Sequence, residues 1–143
     1  MAKRIKKQNT ELLIDGENLG AGKAQAIMEA ARSQGVLYEG KVYGRQLDAC
    51  TRKWSEKARE CGVSDIRLYG EAGKDKIDNK LKKDARRLIN IHSNLDVICI
   101  ASNDGGYVDI IRELRARGKR VVVIGTEKAA KSLRESCSHF IMV

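Results

Sequence analysis

The chain has 143 residues, 42% of them hydrophobic and 33% charged, with four cysteines and a formal net charge of +9. This length suits a single domain that buries about 68–70% of its unfolded surface, and with no apolar run of ~18 residues it excludes a membrane-spanning helix. Neither the cysteines, which form no C-x-x-C pair, nor the two histidines, His92 and His139, compose a zinc motif, and "MAKRIKKQNT" lacks the apolar stretch of a secretory signal.

A cytoplasmic protein is expected, with Cys50, Cys61, Cys99 and Cys137 reduced and packed as small hydrophobes. The positive charge favours a polyanionic partner, nucleic acid first, although a basic surface also serves solubility alone.

Residues 1–10 read as a basic, flexible tail and 11–143 as one domain, since no proline, linker or repeat interrupts the chain. "ELLID" reads as a strand, followed by a helix that sets Ala24, Ile27, Met28 and Ala31 on one face and stops at Gly35. "VLYEGKVYG" is strand-like, then comes a helix around Trp54 closed by Gly62, then the strand "DIRLYG". A helix from about Asp78 to Ile91, the strand "DVICIAS", a helix from Asp104 to Arg117, the strand "RVVVIG", a helix near Leu133 and the strand "FIMV" complete the alternation. Runs such as Val97 to Ala101 and Val121 to Ile124 are apolar without a break, as strands covered on both faces require. The fold class expected is therefore α/β, with a mostly parallel central sheet and helices on both faces. Ligands of such sheets collect at the strands' C-terminal ends, which directs attention to residues 15–18, 69–72, 102–106 and 125–128.

The stretch "LLIDGENLGAGKAQ" mixes glycines with acids. A phosphate-cradling G-x-x-x-x-G-K-[ST] loop fails here because Glu17 stands at the first glycine position and Ala24 follows Lys23. A G-x-G-x-x-G fingerprint from Gly20 fails at Gln25. The carboxylate of Asp15 is the better clue, because hard divalent cations take oxygen ligands and bridge acids to phosphate. An aspartate at a strand end also caps turns, and Asp104 in "ASNDGGY" invites the same plain reading as a helix N-cap. Two acids at the ends of neighbouring strands would nevertheless point into one crevice and repel each other unless a cation sits between them.

The segment "GKDKIDNKLKKDARRLI" is an amphipathic basic helix: Ile77, Leu81 and Leu88 share one face, and Lys76, Lys80, Lys83 and Arg87 lie roughly 115° away. Asp78 falls in its first turn at the edge of the apolar stripe, so it either faces the crevice or favours the helix N-terminus. Asp84 lies beside the stripe and is expected to be partly buried and hydrogen-bonded. The lysines contact phosphate or solvate the helix. Trp54 and Tyr107 are expected in the core rather than as stacking residues.

Taken together, "LLIDGENL", "KDKIDNKLKKDA", "IASNDGGYVDIIRELRARGKRVVVIG" and "SLRESCSHFIMV" resemble, in order and almost end to end, the NYN domain, a branch of the PIN-like metal-dependent ribonucleases. The resemblance implies a Rossmann-like nuclease fold in which Asp15, Asp78 and Asp104 gather around Mg2+ or Mn2+ and Asn18 orients the site. In the family's S-x-D-x-D-[FY] block, Ser102, Asp104 and Tyr107 match, but Gly106 stands at the second acidic position. Asp109, one turn further along, is a candidate substitute acid, although its helical angle differs from that of position 106, and Asp84 matches a family position in a supporting role. The implied partner is RNA, single-stranded or structured, with Lys74, Lys76 and Lys80 as backbone contacts. No membrane partner is implied, and homo-oligomer formation is left open.

Two other classes compete. An RNA-binding or regulatory module of the same fold that has lost efficient cleavage is supported by Gly106. A phosphotransfer receiver would use Asp15, Ser102 and Lys128, but the third strand leads to Glu71 rather than to the phospho-accepting aspartate.

Overall fold

A computed structural model describes residues 8–46, 48–69 and 75–143. The elements follow in the order β1 (Asn9–Asp15), α1 (Ala24–Arg32), β2 (Val36–Arg45), α2 (Ala49–Cys61), β3 (Ser64–Leu68), α3 (Asp75–Ile91), β4 (Val97–Ala101), α4 (Val108–Ala116), β5 (Arg120–Gly125), α5 (Lys131–Ser136) and β6 (His139–Met142). The six strands form one sheet in the order β3-β2-β1-β4-β5-β6, and every neighbouring pair is parallel.

Parallel neighbours need crossover connections, and the helices that make them cover both faces. Leu12, Ile14, Cys99 and Val122 pack with Ile27 and Met28 of α1 and Trp54 and Ala58 of α2 on one face. Leu13, Ile98, Ile100 and Val123 pack on the other with Leu81 and Leu88 of α3, Ile110 and Leu114 of α4, and Leu133 of α5. This double burial is why β4 and β5 are apolar at nearly every position. Trp54 belongs to the first cluster, and its indole N–H donates to the Leu19 carbonyl at 2.8 Å, which closes the loop after β1 onto α2. No helix among the described residues is long and apolar enough to cross a membrane.

Three boundaries differ from the sequence reading. The basic tail was expected to run to residue 10, yet Asn9 and Thr10 are already in β1, with the Asn9 N–H on Asp96 Oδ2 at 2.9 Å; residues 1–7 lie outside the described residues. The helix expected from Asp78 begins at Asp75. The helix expected from Asp104 starts as a 3-10 turn, Gly105–Tyr107, and becomes α-helical only at Val108. Two successive glycines carry the largest backbone entropy cost, so they resist a regular first turn. Gly62 ends α2 in the left-handed conformation, φ 73°, as a helix-stopping glycine does. All four cysteines are free thiols, but Cys50 is exposed rather than packed in the core.

Lys80, marked by the sequence as a phosphate contact, is held against Asp84, which the sequence marked as partly buried and hydrogen-bonded. Asp84 is buried, accepting from the Tyr43 hydroxyl at 2.7 Å and from Lys80 at 3.0 Å, so it fastens α3 to β2. Tyr43→Phe is expected to lower stability by about 1–3 kcal/mol, because it leaves one buried carboxylate oxygen without a donor. Urea unfolding at pH 7 measures this, and a variant as stable as the parent would show that water replaces the hydroxyl.

Candidate active site

Strand order reverses between β1 and β4, and the C-terminal ends of those two strands form the crevice where open α/β sheets place their ligands. Asp15 is the last residue of β1, and Ser102 to Asp104 directly follow β4. The two turns are stitched together. Asn18 Oδ1 accepts the Asn103 N–H at 2.7 Å, and the Asp15 carbonyl accepts the N–H groups of Asn18 and Leu19 at 3.1 and 3.0 Å. Gly16 permits this tight exit from the strand, since a Cβ there would stand 2.7 Å from the Tyr43 carbonyl oxygen. On the far side Asn103 Oδ1 takes the Thr126 N–H at 2.8 Å, which fixes the β4 turn against the end of β5.

Within this frame the Asp15 carboxylate is 4% exposed, and its Oδ2 accepts from the Ser102 hydroxyl at 3.3 Å and the Tyr107 hydroxyl at 3.2 Å. The Ser102 oxygen also receives the Asp104 N–H at 3.1 Å. Tyr107, fully buried, hydrogen-bonds to Asp78 as well, so one phenol stands between two carboxylates. A phenol has one proton to donate, and it does not satisfy both acids at once. Burial pushes the Asp15 carboxyl up to about 6, and the charge of Asp78 adds to this, while the hydroxyls of Tyr107 and Ser102 act against it. Burial and the charges of Asp15 and Asp78 likewise raise the Tyr107 hydroxyl far above its ordinary range.

Asp104 caps the 3-10 turn, its Oδ1 accepting the Gly106 N–H at 2.9 Å. That bond does not turn it away from the other acids. A Cβ placed on Gly106 would stand 3.0 Å from Asp78 Oδ2 and 3.3 Å from Asp104 Oδ1, so the two carboxylates flank one point at the mouth of the crevice. An acid at position 106 would add a third negative group between them, and its Cβ alone would press on both. Gly106 keeps that gap open.

The remaining sequence candidates fall elsewhere. Asp109 does not stand in for the missing acid, because it points to α3 and is paired with Lys82 at 3.1 Å. Asp84 supports α3 rather than the crevice. Lys80 is tied to Asp84, and the exposed Lys76 donates to the Tyr69 carbonyl. Lys74 and Glu71 lie outside the described residues. Glu17 faces Arg45 and Asp48 at the end of β2, not Asp15, Asp78 or Asp104. The contact that sequence reasoning missed is the Tyr107 hydroxyl: its place in the core was expected, its bridge between two acids was not. The only signal in the chain is its spacing three residues after Asp104.

Asp15, Asp78 and Asp104 thus line one crevice, but among the described residues no group of three or more acids, histidines or cysteines stands at joint ligand distance from a single point. The donor set nevertheless fits a hard divalent cation: three carboxylates with the Ser102 and Asn18 oxygens beside them, and Asp78 close enough to Asp15 for its charge to raise the Asp15 carboxyl.

Comparison with known proteins agrees with this architecture. The family model of the NYN domain matches residues 9–143. The chain belongs to the NYN domain family. NYN domains are a branch of the PIN-like nuclease superfamily. An uncharacterized protein of Methanocaldococcus jannaschii is 26% identical over 144 residues, an alignment that spans 98% of this chain and 57% of that protein. This NYN chain therefore corresponds to little more than half of that relative's length. A solved structure of a Vibrio parahaemolyticus protein of unknown function superposes with a TM-score of 0.78 at 18% identity, covering 100% of this chain and 96% of the other. At that identity the likeness shows the fold alone: a Rossmann-like, PIN-like single sheet, as the six parallel strands of this NYN domain display.

Proposed function

We propose that this NYN domain hydrolyses RNA phosphodiester bonds with the help of a divalent cation, Mg2+ or Mn2+, held by Asp15, Asp78 and Asp104. The observation that supports the reading is that Asp15 of β1 and Asp78 of α3 flank the Tyr107 hydroxyl, and Asp78 and Asp104 of the β4 turn flank Gly106, at the switch point of the sheet. Such an ion supplies charge neutralisation at the scissile phosphate and lowers the pKa of bound water. The chain's own residues prepare for it. Ser102 and Tyr107 orient Asp15 Oδ2. Asn18 holds the β4 turn at a fixed distance from β1. Asp104 keeps Oδ2 for a ligand while Oδ1 maintains the cap. The gap at Gly106 leaves room for an oxygen between Asp78 and Asp104.

A second reading, an RNA-binding module with little turnover, is favoured by one observation, the absence of an acid at position 106. Incubation of single-stranded RNA with the protein and Mn2+ separates the two. Cleavage that stops with chelator, and that falls about 100-fold or more in Asp104→Asn, is the expected result for the enzyme. Tight binding with no product under any divalent ion supports the module and rejects the nuclease.

A further inference from the structure

The cations of α3 form two rows in different surroundings. On the flank facing α4, Lys82 pairs with Asp109 at 3.1 Å and Arg86 with Glu113 at 2.7 Å, one helical turn apart, and Arg117 reaches Asn90 a turn further on. That row is neutralised and ties the two helices together. On the other flank Lys76, Lys80, Lys83 and Arg87 follow one another along roughly 16 Å of helix. The acid beside them, Asp84, is already bonded to Tyr43 and Lys80, and neither Lys83 nor Arg87 has an acidic partner among the described residues. Beside this flank a cleft of about 400 Å³ opens between α3 and strands β2 and β3, with Lys41, Lys80, Arg87 and His92 in its walls against Glu39 and Asp84.

Tyr69, directly after β3, is 69% exposed. Lys76 Nζ donates to its carbonyl, so Tyr69 stands beside the first turns of α3, which also carry Asp78. An exposed aromatic ring followed by spaced, unpaired cations is how proteins hold a single strand, since bases stack on the ring and phosphates meet the cations. A duplex hides its base faces and would leave the ring unused.

We propose that single-stranded RNA leaves the aspartate crevice across Tyr69, which stacks a base, and runs along the flank of α3 away from α4, where Lys83 and Arg87 take its phosphates. This rests on the RNA-cleaving reading of the crevice, and it assigns the strand's path and Tyr69's role. The test is binding of fluorescein-labelled single-stranded RNA in the presence of chelator, so that no turnover intervenes. Lys83→Gln with Arg87→Gln, and Lys82→Gln with Arg86→Gln, remove the same charge from opposite flanks. The first pair is expected to raise Kd about 10-fold and to flatten the dependence of log Kd on log salt by roughly 1.4, and the second to change Kd less than about 2-fold. Tyr69→Ala is expected to raise Kd at least about 5-fold, and Tyr69→Trp to preserve it. Equal losses in both charge pairs, no loss in either, or unchanged binding by Tyr69→Ala overturns the proposal. Thermal melts of each variant confirm that the fold is intact. Binding differences that persist in a protein showing no cleavage reject the nuclease reading and keep the track; cleavage that depends on Asp104, with both charge pairs binding alike, rejects the track alone.

Discussion

Asp15→Asn is expected to yield a protein that is more stable at pH 8 and at least about 100-fold slower in cleaving RNA. The side-chain amide oxygen still accepts from Ser102 and Tyr107, so the two turns stay joined. What disappears is the negative charge buried beside Asp78. Folding raises the Asp15 carboxyl from 3.8 to about 6, chiefly through burial, so its ionised form is disfavoured in the folded protein. The sign follows directly: the penalty is absent below pH 3.8, grows between there and about 6, and is fully present above. A shift of this size corresponds to roughly 3 kcal/mol at most. Denaturation of parent and variant at pH 4 and pH 8 should show a difference only at the higher pH. Mn2+ should raise the melting temperature of the parent and leave that of the variant nearly unchanged. A variant that loses stability at pH 8, or that still gains from Mn2+ as the parent does, would remove Asp15 from the cation site.

Glu11→Gln is expected to stabilise the protein by a similar amount without touching the site. Glu11 lies in the middle of β1, 4% exposed, with Glu39 of β2 and Ile98 of β4 as its register partners. Burial pushes its carboxyl from 4.5 up to about 7, the charge of Glu39 adds to this, and Lys41 opposes it. Like charges opposite each other on neighbouring strands destabilise a sheet. The cost of ionising Glu11 is therefore absent below pH 4.5 and complete above about pH 7, where the gain of the variant should reach roughly 3 kcal/mol at most. Urea midpoints from pH 4 to 9 would show the parent losing stability across that window and the variant holding level. Parallel curves for the two proteins would mean that Lys41 already compensates the charge.

Much of the architecture is legible in the residues themselves. "VICIA" and "VVVI" are apolar at every position because both faces of their strands are covered, and that run alone specifies the parallel class. Gly62 and the stripe of Ile77, Leu81 and Leu88 state where a helix ends and which side of another is buried. The candidate acids were legible as well, because Asp15 and Asp104 each close an apolar strand. The different helical angle of Asp109 already spoke against it as the missing acid, but its partner Lys82 on α3 was not legible, since spacing says nothing about which neighbouring helix supplies a lysine. Asp84 was correctly read as buried, but its partner Tyr43 lies 41 residues earlier, beyond any local pattern. The basic row of α3 shows the same limit: Lys82 and Lys83 are adjacent in the chain, yet among the described residues only Lys82 meets an acid, because α4 lies on one side alone.

By itself the sequence determined the order and kind of the strands and helices, which faces are apolar, and which carboxylates stand at strand ends, because these depend on periodicity and near neighbours. Only the tertiary structure decided that Tyr107 stands between Asp15 and Asp78, that Gly106 keeps a gap between Asp78 and Asp104, and that one flank of α3 is neutralised while the other is open. Those outcomes depend on the strand order, which brings residues up to 92 positions apart within hydrogen-bond distance. Contact across such separations is fixed by how helices pack on the sheet, and no local preference of the chain encodes it.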